Sequence, residues 1–327
     1  MSGSILLPNG SPIHQHIQIG SFSARAFFES RADAALLNEM FKATVREPTS
    51  ADAPLDAELY WLHSSNGNAS SPIPPDSLRV AHINEQVWSV ESQVLHARLE
   101  LEAPLPKILL SSDPHNLSEF EWRVHVSIVF HKLLLLLARM YLHAGAVQIG
   151  GAASAFIGEK GSGKSTICLW LGRAGATILS DDHISIRRRD EAFYASGCEQ
   201  VARVTGDTEA ALLPQTLTVE ARDFGGVLKK EFAVRDWFAA LPYRDVRLEK
   251  IFFPHVGARW QLRPLSPRHV TTRLLQTTRS SHRFADKDDY ARHLRYFSEL
   301  AQAVEGFALE LSPNITELDR LVTFLGA

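Results

Sequence analysis

Gly158-Glu159-Lys160-Gly161-Ser162-Gly163-Lys164-Ser165 satisfies the pattern G-x-x-x-x-G-K-[ST] without a gap. Glycines let such a loop curl until successive backbone N–H groups face phosphate oxygens, and the helix that follows adds its positive end. Lys164 would then reach the β- and γ-phosphates, with the Ser165 hydroxyl on Mg²⁺ and Thr166 completing the nucleotide-holding set. ATP and Mg²⁺ are the cofactors this implies. Asp181-Asp182 follow the apolar run ATILS (176–180), which is the form of a Walker-B metal site. Adjacent acids at a strand end point different ways, so one can hold Mg²⁺ while the other accepts a proton from an attacking hydroxyl.

A histidine joins them through strand register. Gly150-Gly151 between two short apolar runs predicts a two-residue hairpin, in which residue 149 faces 152. Counting back from that pair sets His143 opposite Gly158, at the mouth of the loop. There the imidazole could touch the γ-phosphate or orient an Asp. The plainer alternative is a histidine serving the C-terminal dipole of a preceding helix.

These residues need particular elements around them. AASAFI (152–157) predicts a buried strand leading into the loop, and KSTICLWLGRAG (164–175) a helix closed by Gly175. Cys168 reads as a core residue of that helix. The strand ATILS then returns, and a β-α-β crossover brings both strand ends, hence both acids, to the phosphate edge of the sheet. Upstream, VLHARLELE (94–102) alternates as a half-buried strand, and SSNGNASSPIPPD (64–76) is a loop. Asn116 or Ser118 caps a helix expected to run to about Tyr141. LEKIFFPHV (248–256) predicts a buried strand, and the tail alternates helix, the strand GFALEL and a further helix. The expectation is α/β: a smaller mixed α/β domain over 1–115, then a P-loop nucleotide-binding domain over 116–327.

Composition narrows the function classes. The 327 residues carry 34 basic and 37 acidic side chains, a net charge of −3 that favours neither nucleic acid nor an anionic membrane. Arg187-Arg188-Arg189, followed by Asp190 and Glu191, reads as a solvated turn. Two cysteines, Cys168 and Cys198, have no metal-like spacing and fit a reducing cytoplasm. MSGSILLPNG lacks the basic and apolar regions of an export signal. IVFHKLLLLLARMYL (128–142) is too short and too charged to span a bilayer. A cytoplasmic protein with no nucleic-acid or membrane partner is expected, with a homo-oligomer possible.

The order His143, Gly158-x4-Gly163-Lys164-Ser165, Asp181-Asp182 resembles the catalytic domain of HPr kinase/phosphorylase, a phosphoenolpyruvate-carboxykinase-type P-loop fold. Because GGVLKKEF (225–232) does not match the second signature of the true enzymes, the chain looks more like the HPr-kinase-related proteins of biosynthetic operons. The resemblance implies Asp181 as acid/base, Asp182 as metal ligand or its support, and His143 as partner of Asp181 or of phosphate. It implies an ATP- and Mg²⁺-dependent kinase acting on a hydroxyl, with Ser or Thr of a protein or peptide as the leading acceptor. A small-molecule kinase for serine or a sugar, and an ATP-binding sensor without transferase activity, stand as alternatives. Lys229, Lys230, Arg244, Arg247 and Lys250 are candidates to neutralise the moving phosphoryl group, but as ordinary surface charges none is placed in the site.

Overall fold

The structure is a computed structural model. It describes residues 13–19, 21–28, 31, 34, 45–46, 55–63, 79–84, 86–91, 95–101, 105–112, 129, 131–198, 201–213, 217–223, 227–241, 243–278 and 287–326. The chain is mixed α/β with several sheets and divides into two compact units, most of the change falling at Leu133–Leu134. The boundary expected near residue 115, the caps at Asn116 and Ser118 and the loop 64–76 all lie outside the described residues.

In the first unit, β1 (Ile13–Ile19), β2 (Phe22–Phe28), β3 (Val45–Arg46), β4 (Ala57–His63), β5 (Arg79–Asn84), β6 (Val87–Glu91), β7 (Leu95–Glu100) and β8 (Lys107–Ser112) form one sheet. Its order is β3-β1-β2-β4-β8-β7-β6-β5, with β4 parallel to both β2 and β8. The alternation read at 94–102 is β7, with Ala97 and Leu99 buried.

The second unit begins with β9 (Arg139–Ile149) and β10 (Ala152–Ile157), joined at Gly150 and Gly151. Both glycines have positive φ, 59° and 88°, which a two-residue hairpin of this twist requires. Ile149 pairs with Ala152 and Ala144 with Ile157, the register predicted from the glycine pair. The helix expected to reach Tyr141 ends earlier: residues 131–136 are helical, Ala138 turns at φ 52°, and Arg139 opens the strand. An unbroken apolar run has no period to separate helix from buried strand.

Helix α1 (Lys164–Arg173) follows the loop, then β11 (Thr177–Ser180), β12 (His183–Arg189), β13 (Ala192–Gly197) and β14 (Val201–Val204). After α2 (Gly206–Leu212) come β15 (Arg222–Asp223), β16 (Leu228–Ala233), β17 (Val246–Val256) and β18 (Gln261–Leu265). Helices α3 (Pro267–Thr277) and α4 (Lys287–Ala303), strand β19 (Glu305–Leu311) and helix α5 (Asp319–Leu325) end the chain. Strands β10, β9, β12, β13 and β17 close on themselves through a β10–β17 pairing, and β19 and β18 extend from β17. A separate sheet, β14-β16-β15, stands beside α2.

Alternation sorts two cores. Ala155, Ile251 and Phe253 pack with Val270, Leu274 and Phe297 of α3 and α4. Phe156, Phe252 and Phe307 face the other way with Ile167 and Leu171 of α1. Those three phenylalanines stack across β10, β17 and β19 at 5.2 Å between successive centroids. Each such buried ring contributes roughly 1.5–3 kcal/mol, enough to fix the strand from which the loop springs. Cys168 is fully buried in the same core.

Two local readings change. β11 does run parallel to β10, but β9 lies between them and pairs antiparallel with both. The three arginines are not a turn: they end β12, and the turn falls at Asp190, φ 57°. Arg187 pairs with Asp245, Arg188 with Glu299, and Arg189 lies over Tyr194. Partners from distant elements, invisible locally, keep those charges on a strand. Among the described residues no helix is long and apolar enough to cross a membrane.

Candidate active site

The loop geometry starts with β10, which delivers the chain to Gly158 just past its last residue, Ile157. A Cβ there would stand 2.8 Å from Ser162 Oγ and 3.2 Å from the Pro254 carbonyl, so only glycine lets the loop fold back this tightly. Gly163 caps α1 in the left-handed region at φ 94°. Lys164 is 6% exposed and donates from Nζ to the carbonyls of Gly158 (2.7 Å) and Glu159 (3.0 Å), arched over its own loop. Burial lowers its pKa, while Asp182 and Asp181 pull it back up.

The two acids sit at a bend between β11 and β12, both of which run antiparallel along β9. They face different surroundings. Asp181 is 2% exposed; its Oδ2 accepts the Arg203 amide at 3.1 Å and its Oδ1 is buried without a hydrogen-bond partner. Burial first, then the charge of Asp182, raises its carboxyl pKa to about 6. The Arg203 amide, the neighbouring Ser165 hydroxyl and Lys229 act against that rise.

Asp182 is half-open and heavily bonded. Its Oδ1 takes His143 Nδ1 at 2.8 Å, and its Oδ2 takes Arg203 Nη1 at 2.7 Å, with His183 Nδ1 at 3.5 Å. Burial pushes this carboxyl up, but His183, His143 and Arg203 together hold it well below the usual carboxylate range. His183 pairs with His143 across β12 and β9, which sets the two rings 5.3 Å apart, and it stacks on Tyr141 at 5.0 Å. Arg203 also donates from Nε to Glu231 at 2.8 Å, its directly opposed neighbour on β16.

These groups surround a cavity of about 480 Å³, within the ordinary range for a small-molecule site. The loop and the start of α1 contribute Lys160, Gly161, Gly163, Lys164, Ser165 and Thr166 to its lining. His143, Asp182, Arg203, Thr205, Thr208, Val227 and Lys229 line it as well. Of the residues expected from sequence, Gly158, Glu159, Ser162 and Asp181 support the wall without lining it. Lys160, Lys164, Arg203 and Lys229 bring four basic side chains to the lining against the one carboxylate of Asp182, and Arg203 is paired to Glu231 as well; the basic excess suits a polyanion.

Sequence reasoning missed Arg203, His183, Thr205 and Thr208, and it left Lys229 on the surface. Alternation on β16 decides the last case, because Lys230 turns away to Glu209 (3.1 Å) while Lys229 faces the cavity. An available signal was Arg203 itself, a lone charge between buried Ala202 and Val204.

A hard divalent cation takes carboxylate and hydroxyl oxygens. The unpartnered Asp181 Oδ1, near the Ser165 hydroxyl, fits that demand. Asp182 and His143 stand one residue and one strand away.

No protein-family model matches this chain, and no curated protein is similar to it in sequence. Among solved structures, the chain is similar to the HPr(Ser) kinase/phosphatase from Coxiella burnetii at 12% identity and a TM-score of 0.30. That likeness covers 57% of this chain and 93% of the other.

Proposed function

We propose that the chain is an ATP- and Mg²⁺-dependent kinase that transfers the γ-phosphoryl group to a hydroxyl, with Ser or Thr of a protein or peptide as acceptor. The observation that carries this reading is Asp182, held by His143, lining the same cavity as Lys164 and Ser165. A nucleotide-binding sensor has no need of a carboxylate oriented by an imidazole at the place where the γ-phosphate would lie.

The roles divide by environment. Lys164 and the loop amides would hold the β- and γ-phosphates, with Lys229 and Arg203 facing them. Ser165 and Asp181 would hold Mg²⁺, which when bound neutralises charge on the β- and γ-oxygens. Asp182 would accept the acceptor proton, with His143 fixing its orientation. This reverses the order implied by the resemblance, because Asp182 lines the cavity whereas Asp181 lies just beneath it, beside the Ser165 hydroxyl. A loose phosphoryl-transfer transition state asks little basicity of the proton acceptor, so the depressed pKa of Asp182 is no obstacle. Positioning and charge neutralisation would supply most of the acceleration.

The test is incubation with γ-labelled ATP, Mg²⁺ and candidate protein, peptide and metabolite acceptors, with Lys164→Ala as control. Label on a Ser or Thr of a polypeptide, lost in the variant, is the expected result. Label on metabolites alone would overturn the acceptor class. Nucleotide binding without transfer to any acceptor would favour the sensor.

A further inference from the structure

Arg203 is bonded in a way that the proposed reaction cannot leave unchanged. Its Nη1 lies on Asp182 Oδ2 at 2.7 Å and its Nε on Glu231 Oε2 at 2.8 Å. The other Asp182 oxygen carries His143. Both oxygens of the proposed proton acceptor therefore already hold a donor, one of them a full cation. The same guanidinium lines the cavity with Lys160, Lys164 and Lys229, where a γ-phosphoryl group would lie. A phosphate oxygen cluster offers a guanidinium a stronger, forked partner than one carboxylate oxygen that it shares with His183.

We propose that Arg203 is a transferable latch: it holds Asp182 Oδ2 until ATP arrives, then moves its Nη1 end to the γ-phosphoryl oxygens, so that one motion uncovers the proton acceptor and supplies a transition-state cation. This rests on the kinase reading above. Glu231 is the pivot, since strand pairing places it directly opposite Arg203 and it grips Nε, the end nearer the backbone. The Arg203 amide stays on Asp181 Oδ2, so the backbone need not move.

In the step itself, a bond forms between the acceptor oxygen and the γ-phosphorus. The bond from that phosphorus to the β,γ-bridging oxygen breaks, and ADP leaves with its electron pair. The hydroxyl proton passes to Asp182 Oδ2, now clear of Arg203. Charge on the equatorial oxygens peaks in the transition state, and there the guanidinium is worth most.

The discriminating measurement compares two nucleotide complexes of the full chain with Mg²⁺. AMP-PNP reports ground-state binding, and ADP with aluminium fluoride mimics the planar phosphoryl group in flight. Because the contact forms on ATP binding and is worth most in flight, Arg203→Ala is expected to weaken AMP-PNP binding about tenfold and the aluminium fluoride complex about 100- to 1,000-fold. Guanidinium chloride at sub-denaturing concentration should restore part of the loss, and Arg203→Lys should restore less than the native residue. Equal loss on both complexes would make Arg203 a simple phosphate or structural contact and overturn the latch. Should Arg203→Ala fail to fold, Glu231→Gln removes only the pivot and should cost the aluminium fluoride complex about tenfold. An unchanged ratio between the two complexes in either folded variant also overturns the proposal. If the wild-type chain binds neither nucleotide, the kinase reading fails instead, and the two failures are told apart.

Discussion

Replacing Asp181 by Asn should stabilise the protein while removing a group on which activity depends. Asp181 is almost fully buried, its Oδ1 has no hydrogen-bond partner, and its carboxyl pKa is raised from 3.8 to about 6. Between those values the folded state binds more protons than the unfolded chain, so stability is lost as pH rises through that window. Each unit is worth about 1.36 kcal/mol, which sets a ceiling of about 3 kcal/mol above pH 6. Asn does not titrate, and its carbonyl can still accept the Arg203 amide. For a unit of this size, about 2–4 °C accompanies each kcal/mol, so the variant should melt up to about 6–12 °C higher at pH 7.5 in EDTA. The gap should narrow to about half by pH 5. Asp182→Asn should behave oppositely: its charge is favoured by His143, His183 and Arg203, so it contributes stability at neutral pH that is lost on acidification. Thermal melts of the three proteins across pH 5–8 decide the matter. An Asp181→Asn variant that melts at or below wild type, or at a pH-independent offset, would refute the reading of Asp181 as a buried carboxyl whose charge costs stability.

His143→Gln keeps a hydrogen-bond donor but not the imidazole's reach to Asp182, so kcat should fall about 10- to 100-fold with KM for ATP nearly unchanged. Steady-state kinetics at several ATP concentrations separate the two, and a rise in KM alone would place His143 on the nucleotide instead. Gly197→Ala should cost more than about 3 kcal/mol, because its Cβ would stand 1.7 Å from the Leu179 carbonyl, in backbone that cannot yield. Soluble yield and urea midpoint test this, and a near-native midpoint would show that the β11–β13 contact is softer than it looks.

Local signals carried much of this site. The phosphate-loop pattern, the two-glycine hairpin and the register that brings His143 to the loop are written in contiguous residues, and the structure repeats the register pair by pair. Cross-strand chemistry was not written there. Arg203 meets Glu231 only because β14 pairs with β16, 28 residues away, and Lys229 faces the cavity only because that pairing sets the pleat. The helix expected to reach Tyr141 fails for a different reason. A run apolar on every side has no period, so tertiary pairing of Met140 and Leu142 with β12 decides it.

The order of the two acids depends on a single irregular residue. Along β9, Ile178 pairs with Val147 but Ser180 with Ala146, so Leu179 is an extra residue in β11, a bulge. Had the register run straight, Asp182 would stand where His183 now does, opposite His143. With the bulge, His183 takes that place, and Asp182 falls at the bend, its carbonyl on the Ala144 amide and its carboxylate on the His143 ring. A one-residue slip exchanges the faces of everything after it. The bulge has its own requirement: the Leu179 carbonyl presses into the space over Gly197, where no side chain fits. No pattern within DDHISI reveals this, because the constraint lies on β13. The assignment of Asp182 to the cavity and Asp181 to the interior therefore rests on Leu179 and Gly197, neither of which touches the cavity.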